Sequence, residues 1–201
     1  VQPAYQFIKG LLRNVKGLSL DSDHMMVISP DEGGMSRAIY IANVLGLDMG
    51  MFYKRRDYTR VVNGRNPIVA HEFLGTSVEG KDMIIIDDMI SSGESVLEVA
   101  SELKKRKASR IFVFSTFGLF TSGLDRFDKA YENGIIDKVL TTNLVYQTPE
   151  LLQRDWYINC DMSKYIAYII DTLNHDSSIS DLLNPNERIQ NIVARYKNGE
   201  L

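Results

Sequence analysis

Met83-Ile84-Ile85-Ile86-Asp87-Asp88-Met89-Ile90-Ser91-Ser92-Gly93-Glu94-Ser95 is the stretch on which the fold turns. A continuously apolar run, 83–86, leads into two adjacent carboxylates. Such a run suits a central parallel strand whose sheet is covered on both faces. A loop of small hydroxyl residues follows, and 95–107 then carries Val96, Val99, Ala100 and Leu103 at helical spacing. Strand, tight loop and helix in that order build an anion site. Loop amides meet the anion with the positive end of the helix dipole behind them. Ser91, Ser92 and Ser95 add hydroxyl donors, and Gly93 lets backbone come close to a phosphate. Asp87 and Asp88, at the strand end, can accept hydrogen bonds from sugar hydroxyls. The plainer reading is that Ser92 or Ser95 only caps the helix while the aspartates sit in solvent. The co-occurrence of all the parts favours the anion site.

Outward from this segment, strand and helix patterns alternate. Helices are expected at 3–16, 36–45 (ended by Gly46), 95–107, 124–132, 163–173 and 185–196. Strands are expected at 25–29, 49–53, 83–86, 110–114, 138–140 and 156–160. Residues 54–82 read as a long polar loop with Asn63, Gly64, Asn66 and Pro67, within which 69–73 could pair as an edge strand. Loops longer than about 12–15 residues in compact domains are often functional. The helix at 163–173 carries Ile166, Ile169, Ile170 and Leu173 as an apolar stripe. The alternation predicts an α/β fold: a doubly wound, mainly parallel sheet with right-handed crossovers and helices on both faces. Ligands then bind past the carboxyl ends of the strands, in the loops after Ser29, Tyr53, Ile86 and Phe114.

The 201 residues suit one large domain, with an ordinary balance of 44% hydrophobic and 24% charged residues. A net charge of -3, with the two signs mixed, gives no ground for a nucleic-acid or membrane partner. The single cysteine, Cys160, excludes a disulfide scaffold and reads as a small buried hydrophobe in a reducing, cytoplasmic setting. No apolar run approaches the roughly 20 residues of a membrane helix. No signal peptide is visible, but Val1 is not a start methionine, and the expectation is the later part of a longer protein. His24 and His175 read as structural and His71 as a surface residue. Tyr165, Tyr168 and Trp156 read as core or interface.

Residues 83–95 resemble the signature of the type I phosphoribosyltransferase family throughout. The resemblance implies that Asp87 and Asp88 hold ribose hydroxyls and that Ser91, Ser92, Gly93, Glu94 and Ser95 cradle a 5-phosphate. Two further segments narrow the resemblance. Ser29-Pro30-Asp31-Glu32-Gly33-Gly34-Met35-Ser36-Arg37-Ala38 follows the first strand. Adjacent glycines there suit a pyrophosphate and Asp31 suits Mg²⁺, although a tight turn alone would also use them. The string resembles the pyrophosphate loop of ribose-phosphate pyrophosphokinases. That implies metal binding by Asp31 and pyrophosphate binding by Gly33, Gly34 and Arg37. Lys54-Arg55-Arg56, at the end of the next strand, is by itself a solvated charge run. In this position it resembles the catalytic triple of the same kinases, which assigns Lys54 and Arg56 to the transferring group. The segments around Asp161-Met162-Ser163-Lys164, Asn174-His175 and Ser178-Ile179-Ser180 are also similar to this family.

The similarity covers 27–183 and departs at four places. Ser91 stands where the family usually has aspartate and Glu94 where it has glycine. Phe117 replaces a strand-end histidine. The loop after Arg56 is longer, and 146–156 reads as an insertion. The family implies diphosphoryl transfer from ATP to ribose 5-phosphate, with Mg²⁺, in a homo-oligomer. The chain is expected to be a single domain, 1–201, forming the C-terminal half of a two-domain enzyme. Adenine contacts then come from the other domain or a neighbouring subunit, and the isolated chain is inactive. Two rivals remain: a phosphoribosyltransferase acting on a nucleobase, and a non-catalytic regulatory subunit. The Lys54-Arg55-Arg56 triple speaks against the first, and Asp31, Lys54, Arg56 and Asp87 against the second.

Overall fold

The structure is a computed structural model that describes residues 3–56 and 68–201, without the side chains of 54–56, 68–71, 181 and 182. Its centre is a seven-stranded sheet of order β3-β2-β1-β4-β5-β6-β7. The strands are β1 (Met25–Ser29), β2 (Asp48–Arg56), β3 (Ile68–Leu74), β4 (Asp82–Ile90), β5 (Ile111–Gly118), β6 (Lys138–Thr142) and β7 (Tyr157–Cys160). All neighbouring pairs are parallel except β2 with β3. The helices are α1 (Ala4–Asn14), α2 (Met35–Leu45), α3 (Glu94–Lys105), α4 (Asp125–Glu132), α5 (Pro149–Leu152), α6 (Ser163–Asn174), α7 (Ser180–Leu183) and α8 (Asn186–Lys197).

Side-chain alternation along the strands divides the core in two. Ile84 and Ile86 join Met25, Val27, Phe112, Phe114 and Leu140 under α1, α2 and α8. Met83 and Ile85 join Met26, Ile28, Ile111 and Val113 under α3 and α4. Continuous burial of β1 and of the first five residues of β4 follows from this two-sided covering. Phe7 of α1 stacks on Phe114 at 5.2 Å. α8 is tied to α2 by hydrogen bonds from Tyr40 Oη to Asn186 Oδ1 (2.8 Å) and from Gln190 Nε2 to the Val44 carbonyl (2.7 Å).

Two expectations need correction, and one helix face is left open. The 54–82 stretch is not one loop: β2 continues to Arg56 and β3 returns antiparallel beside it, with Lys54 opposite His71. Residues 57–67, with Asn63, Gly64, Arg65, Asn66 and Pro67, lie outside the described residues, as do the side chains of Lys54, Arg55, Arg56 and His71. β4 also extends past Ile86 to Ile90, because its pairing with β5 persists through Met89 opposite Phe117. The stripe on α6 is uncovered: no residue of this helix is buried, and Ile170 and Leu173 are 63% and 57% exposed. By contrast Trp156 is fully buried, and its Nε1 donates to Asp128 Oδ1 at 2.7 Å.

Candidate functional site

The chain leaves β1 toward β2 on one side, while β4 pairs with β1 on the other. Loops leaving the carboxyl ends of such divergent neighbours part and open a crevice. The segments after β1 and in the second half of β4 therefore meet there, although they are far apart in sequence.

After Ser29 the chain makes a single 3-10 turn, Glu32–Gly34, before α2 begins. Asp31 caps that turn, its Oδ1 accepting from the Gly34 amide at 3.1 Å. Ser29 Oγ donates to the Asp31 carbonyl at 2.6 Å. Gly34 is required here for space. A Cβ would lie 2.7 Å from Ser29 Oγ and 3.4 Å from the Ile86 carbonyl oxygen, so the turn sits directly on β4.

At the end of β4, Gly93 takes φ +81° and serves as the N-cap of α3. A Cβ there would fall 2.3 Å from Cε2 of Phe127, so conformation and space both demand glycine. Glu94 donates its amide to Ser92 Oγ at 3.4 Å. Ser91 is fixed to the β5 exit by its carbonyl, which accepts from the Thr121 amide at 3.0 Å, and by its Oγ, 3.3 Å from Thr121 Oγ1. Pro30, Asp31, Asp87 and residues 89–96 enclose a cavity of about 140 Å³. The structure thus brings Asp31, Asp87, Ser91, Ser92, Gly93, Glu94 and Ser95 together at one helix N-terminus.

Asp88 does not line that cavity. Asp87 lines it and also the groove between α1 and α2, whereas Asp88 lines neither. Asp88 Oδ2 lies 3.6 Å from Arg37 Nη2. Arg37 lies against Asp88 on α2 and does not line the cavity that holds Asp31. Its Nε is buried with no hydrogen-bond partner among the described residues, while the side chain as a whole is 39% exposed.

Burial, then the charges of Asp88 and Asp31, pushes the Asp87 carboxyl up to about 6, against the lowering effect of the Asp88 amide that it accepts at 2.8 Å. A cation beside Asp31 and Asp87 would relieve that repulsion. Among the described residues no three His, Cys, Asp or Glu gather as a metal cage. Mg²⁺ is commonly held by one or two carboxylates together with substrate phosphates, so this pair fits it. Elsewhere, burial pushes the Cys160 thiol up to about 12, which makes it inert at neutral pH. His24 is exposed and sits 2.7 Å from Asp21.

A model of the phosphoribosyl synthetase-associated domain matches residues 61–184, more than half of the chain. The chain belongs to that family. The ribose-phosphate pyrophosphokinase of Vibrio cholerae is 31% identical over 175 residues, covering 87% of this chain and 52% of the relative. That of Shewanella oneidensis is 35% identical over 162 residues, covering 79% and 47%. The chain therefore spans about half the length of the curated relatives it matches. The crystal structure of phosphoribosylpyrophosphate synthetase from Mycobacterium smegmatis superposes with a TM-score of 0.63 at 23% identity, covering 76% of this chain and 46% of that one. This likeness supports the α/β fold.

Sequence reasoning missed one contributor to the site. Thr121, which braces Ser91, follows β5 and carries no motif of its own.

Proposed function

We propose that this chain is the sugar- and pyrophosphate-binding part of a ribose-phosphate diphosphokinase, which makes phosphoribosyl pyrophosphate and AMP from ribose 5-phosphate and ATP. The observation that carries the reading is the single cavity uniting Asp31, Asp87 and the 91–95 loop at the N-terminus of α3. It has the donors for a 5-phosphate and the acceptors for ribose hydroxyls side by side. Relatives bearing that activity in their names support it.

In this reading the 91–95 loop holds the 5-phosphate, and Asp87 holds a ribose hydroxyl. Asp88 is oriented by Arg37 toward the second hydroxyl. Gly33, Gly34 and Arg37 receive the pyrophosphate. Asp31, with Asp87 nearby, would hold Mg²⁺, which supplies charge neutralisation between phosphates. The anomeric hydroxyl attacks the β-phosphorus of ATP, and AMP leaves. Lys54 and Arg56 stabilise charge on the transferring group. Such a transfer rests on positioning and preorganised charge, with no covalent enzyme intermediate needed. The chain acts in the cytoplasm as the C-terminal half of a homo-oligomeric enzyme, with adenine held by another domain or subunit. Among the described residues no helix is long and apolar enough to cross a membrane.

The test is calorimetry plus AMP release on the 201-residue chain. Ribose 5-phosphate and inorganic phosphate should bind, and Asp87→Asn should weaken the sugar phosphate more than phosphate alone. AMP should not be released until the other half is supplied. Absence of any phosphate binding would refute the site, and transfer of pyrophosphate-activated ribose to a nucleobase would favour a phosphoribosyltransferase.

A further inference from the structure

The connection from β5 to α4, residues 119–124, takes no part in the reaction proposed above. Phe120 stands in it with φ +46°. Left-handed backbone is ordinary for glycine, but for a bulky residue it is an outlier that the surroundings must impose. The ring of Phe120 is buried as well.

What imposes it lies on two sides. On the main chain, the amides of Leu119 and Phe120 both donate to the Ile90 carbonyl, at 2.9 and 3.3 Å, and the Thr121 amide donates to the Ser91 carbonyl at 3.0 Å. Ile90 and Ser91 are where β4 passes into the 91–95 loop. On the side-chain side, the Phe120 ring meets Phe127 edge-on, with centroids 5.1 Å apart, and leans on Trp156 at 6.0 Å and Tyr157 at 6.4 Å. Phe127 is the ring that leaves no room for a Cβ at Gly93. Phe120 therefore reaches the loop twice, by backbone at its entrance and through Phe127 at Gly93. With the ring anchored, rotating φ into the ordinary negative range would carry the following chain, Thr121 included, off Ser91. The Gly123 amide closes the turn on the Phe120 carbonyl at 2.9 Å, and Thr121 Oγ1 stands 3.3 Å from Ser91 Oγ.

We infer that residues 119–121 are the positioning element of the 91–95 loop, with Phe120 as its fixed point and Thr121 as its contact with Ser91. The segment touches no ligand. It acts through Ser91 and Gly93, whose neighbouring amides and hydroxyls must converge before an anion arrives if binding is not to be spent on ordering them. Backbone strain held against a ligand loop is a known means of such preorganisation. The effect on phosphate rests on the reading of 91–95 as the anion site, but the effect on the order of the loop does not.

The test compares the 201-residue chain with Thr121→Ser, Thr121→Val and Thr121→Pro, by calorimetry with inorganic phosphate and by amide hydrogen exchange. Thr121 is exposed, so serine and valine leave the core intact. Thr121→Ser keeps both hydroxyl and amide and should bind phosphate like the wild type. Thr121→Val should bind about threefold more weakly, the scale of one lost hydrogen bond, and Thr121→Pro, which also lacks the amide for Ser91, about tenfold or more. Without ligand, the amides of 92–95 should exchange faster in the same order, while those of 139–141 in β6 hold their rates. The inference is overturned if valine and proline leave phosphate affinity and exchange at 92–95 unchanged. It is equally overturned if exchange rises as much in β6 as in the loop, since the role is then general stability. A wild-type chain that binds no phosphate, with exchange at 92–95 still following the variants, would uphold the positioning element and sink the anion-site reading instead.

Discussion

Replacing Asp87 by asparagine should make the unliganded chain more stable at neutral pH while it damages sugar binding. Burial first, with Asp88 and Asp31 adding, pushes this carboxyl from an ordinary 3.8 up to about 6. The folded chain therefore holds the proton more tightly than the unfolded one. The associated stability is fully present below about pH 4 and is lost as pH rises from there through about 6. A difference of about two pH units at 1.36 kcal/mol each gives about 3 kcal/mol. The carboxyl keeps part of its contact with water, which reduces the expected effect to about 1–2 kcal/mol. Asparagine has nearly the same shape, can still accept the Asp88 amide, and carries no charge to desolvate. Urea unfolding of wild type and Asp87→Asn at about pH 7.5 and about pH 4 measures the effect. The variant should be more stable by about 1–2 kcal/mol at the higher pH, and the gap should close at the lower. A variant that is less stable at pH 7.5, or a gap that ignores pH, would refute the reasoning. A site residue that costs stability when empty is the usual trade between function and folding.

Two other substitutions probe the loops. Gly93→Ala should lose phosphate binding and destabilise the fold by more than about 1 kcal/mol, since it strains a left-handed residue and drives a methyl group into Phe127; unaltered phosphate affinity by calorimetry would mean that this loop is not the anion site. In the assembled enzyme, Lys54→Ala and Arg56→Ala should each lower turnover by about 10²–10³ with substrate binding little changed, and Arg55→Ala should do less; equal, mild losses in steady-state kinetics would support a solvated charge run.

The fold was legible where burial and periodicity agree. The run Met25–Ser29 is apolar because both its faces are covered, and it is β1 with the expected limits. Ends were less legible where pairing outlasts hydrophobicity: Asp87 and Asp88 break the apolar run, but hydrogen bonding to β5 carries β4 to Ile90. The four-residue α5 is too short to show a period. On α6 the spacing of Ile166, Ile169, Ile170 and Leu173 gives a helix with an apolar stripe, but spacing cannot say what covers it. The 91–95 loop was legible because a strand, a glycine with positive φ and a helix are local. That Asp88 and Arg37 do not line the phosphate cavity was not legible, because it depends on how segments distant in sequence pack together.

The strand order also bears on how the chain folds. Met26 pairs with Met83, 57 positions later, whereas the widest of the other parallel pairings joins residues 28 positions apart, as Met83 with Ile111. Closing the longer segment costs about 0.6 kcal/mol more in chain entropy for each doubling of length, and pairings distant in sequence form slowly. The seam between β1 and β4 is thus the most distant closure in the sheet, and the two halves of the candidate site, 31–37 and 87–95, lie on either side of it. During refolding, a chain that has paired only β4 to β7 carries a phosphate loop without the Asp31 turn. Affinity for simple phosphate should then return before any dependence on Asp31, an order that stopped-flow refolding of the wild type and Asp31→Asn in phosphate would reveal. The crevice acts as a checkpoint for the whole sheet, and it is complete only when the last long-range pairing is made.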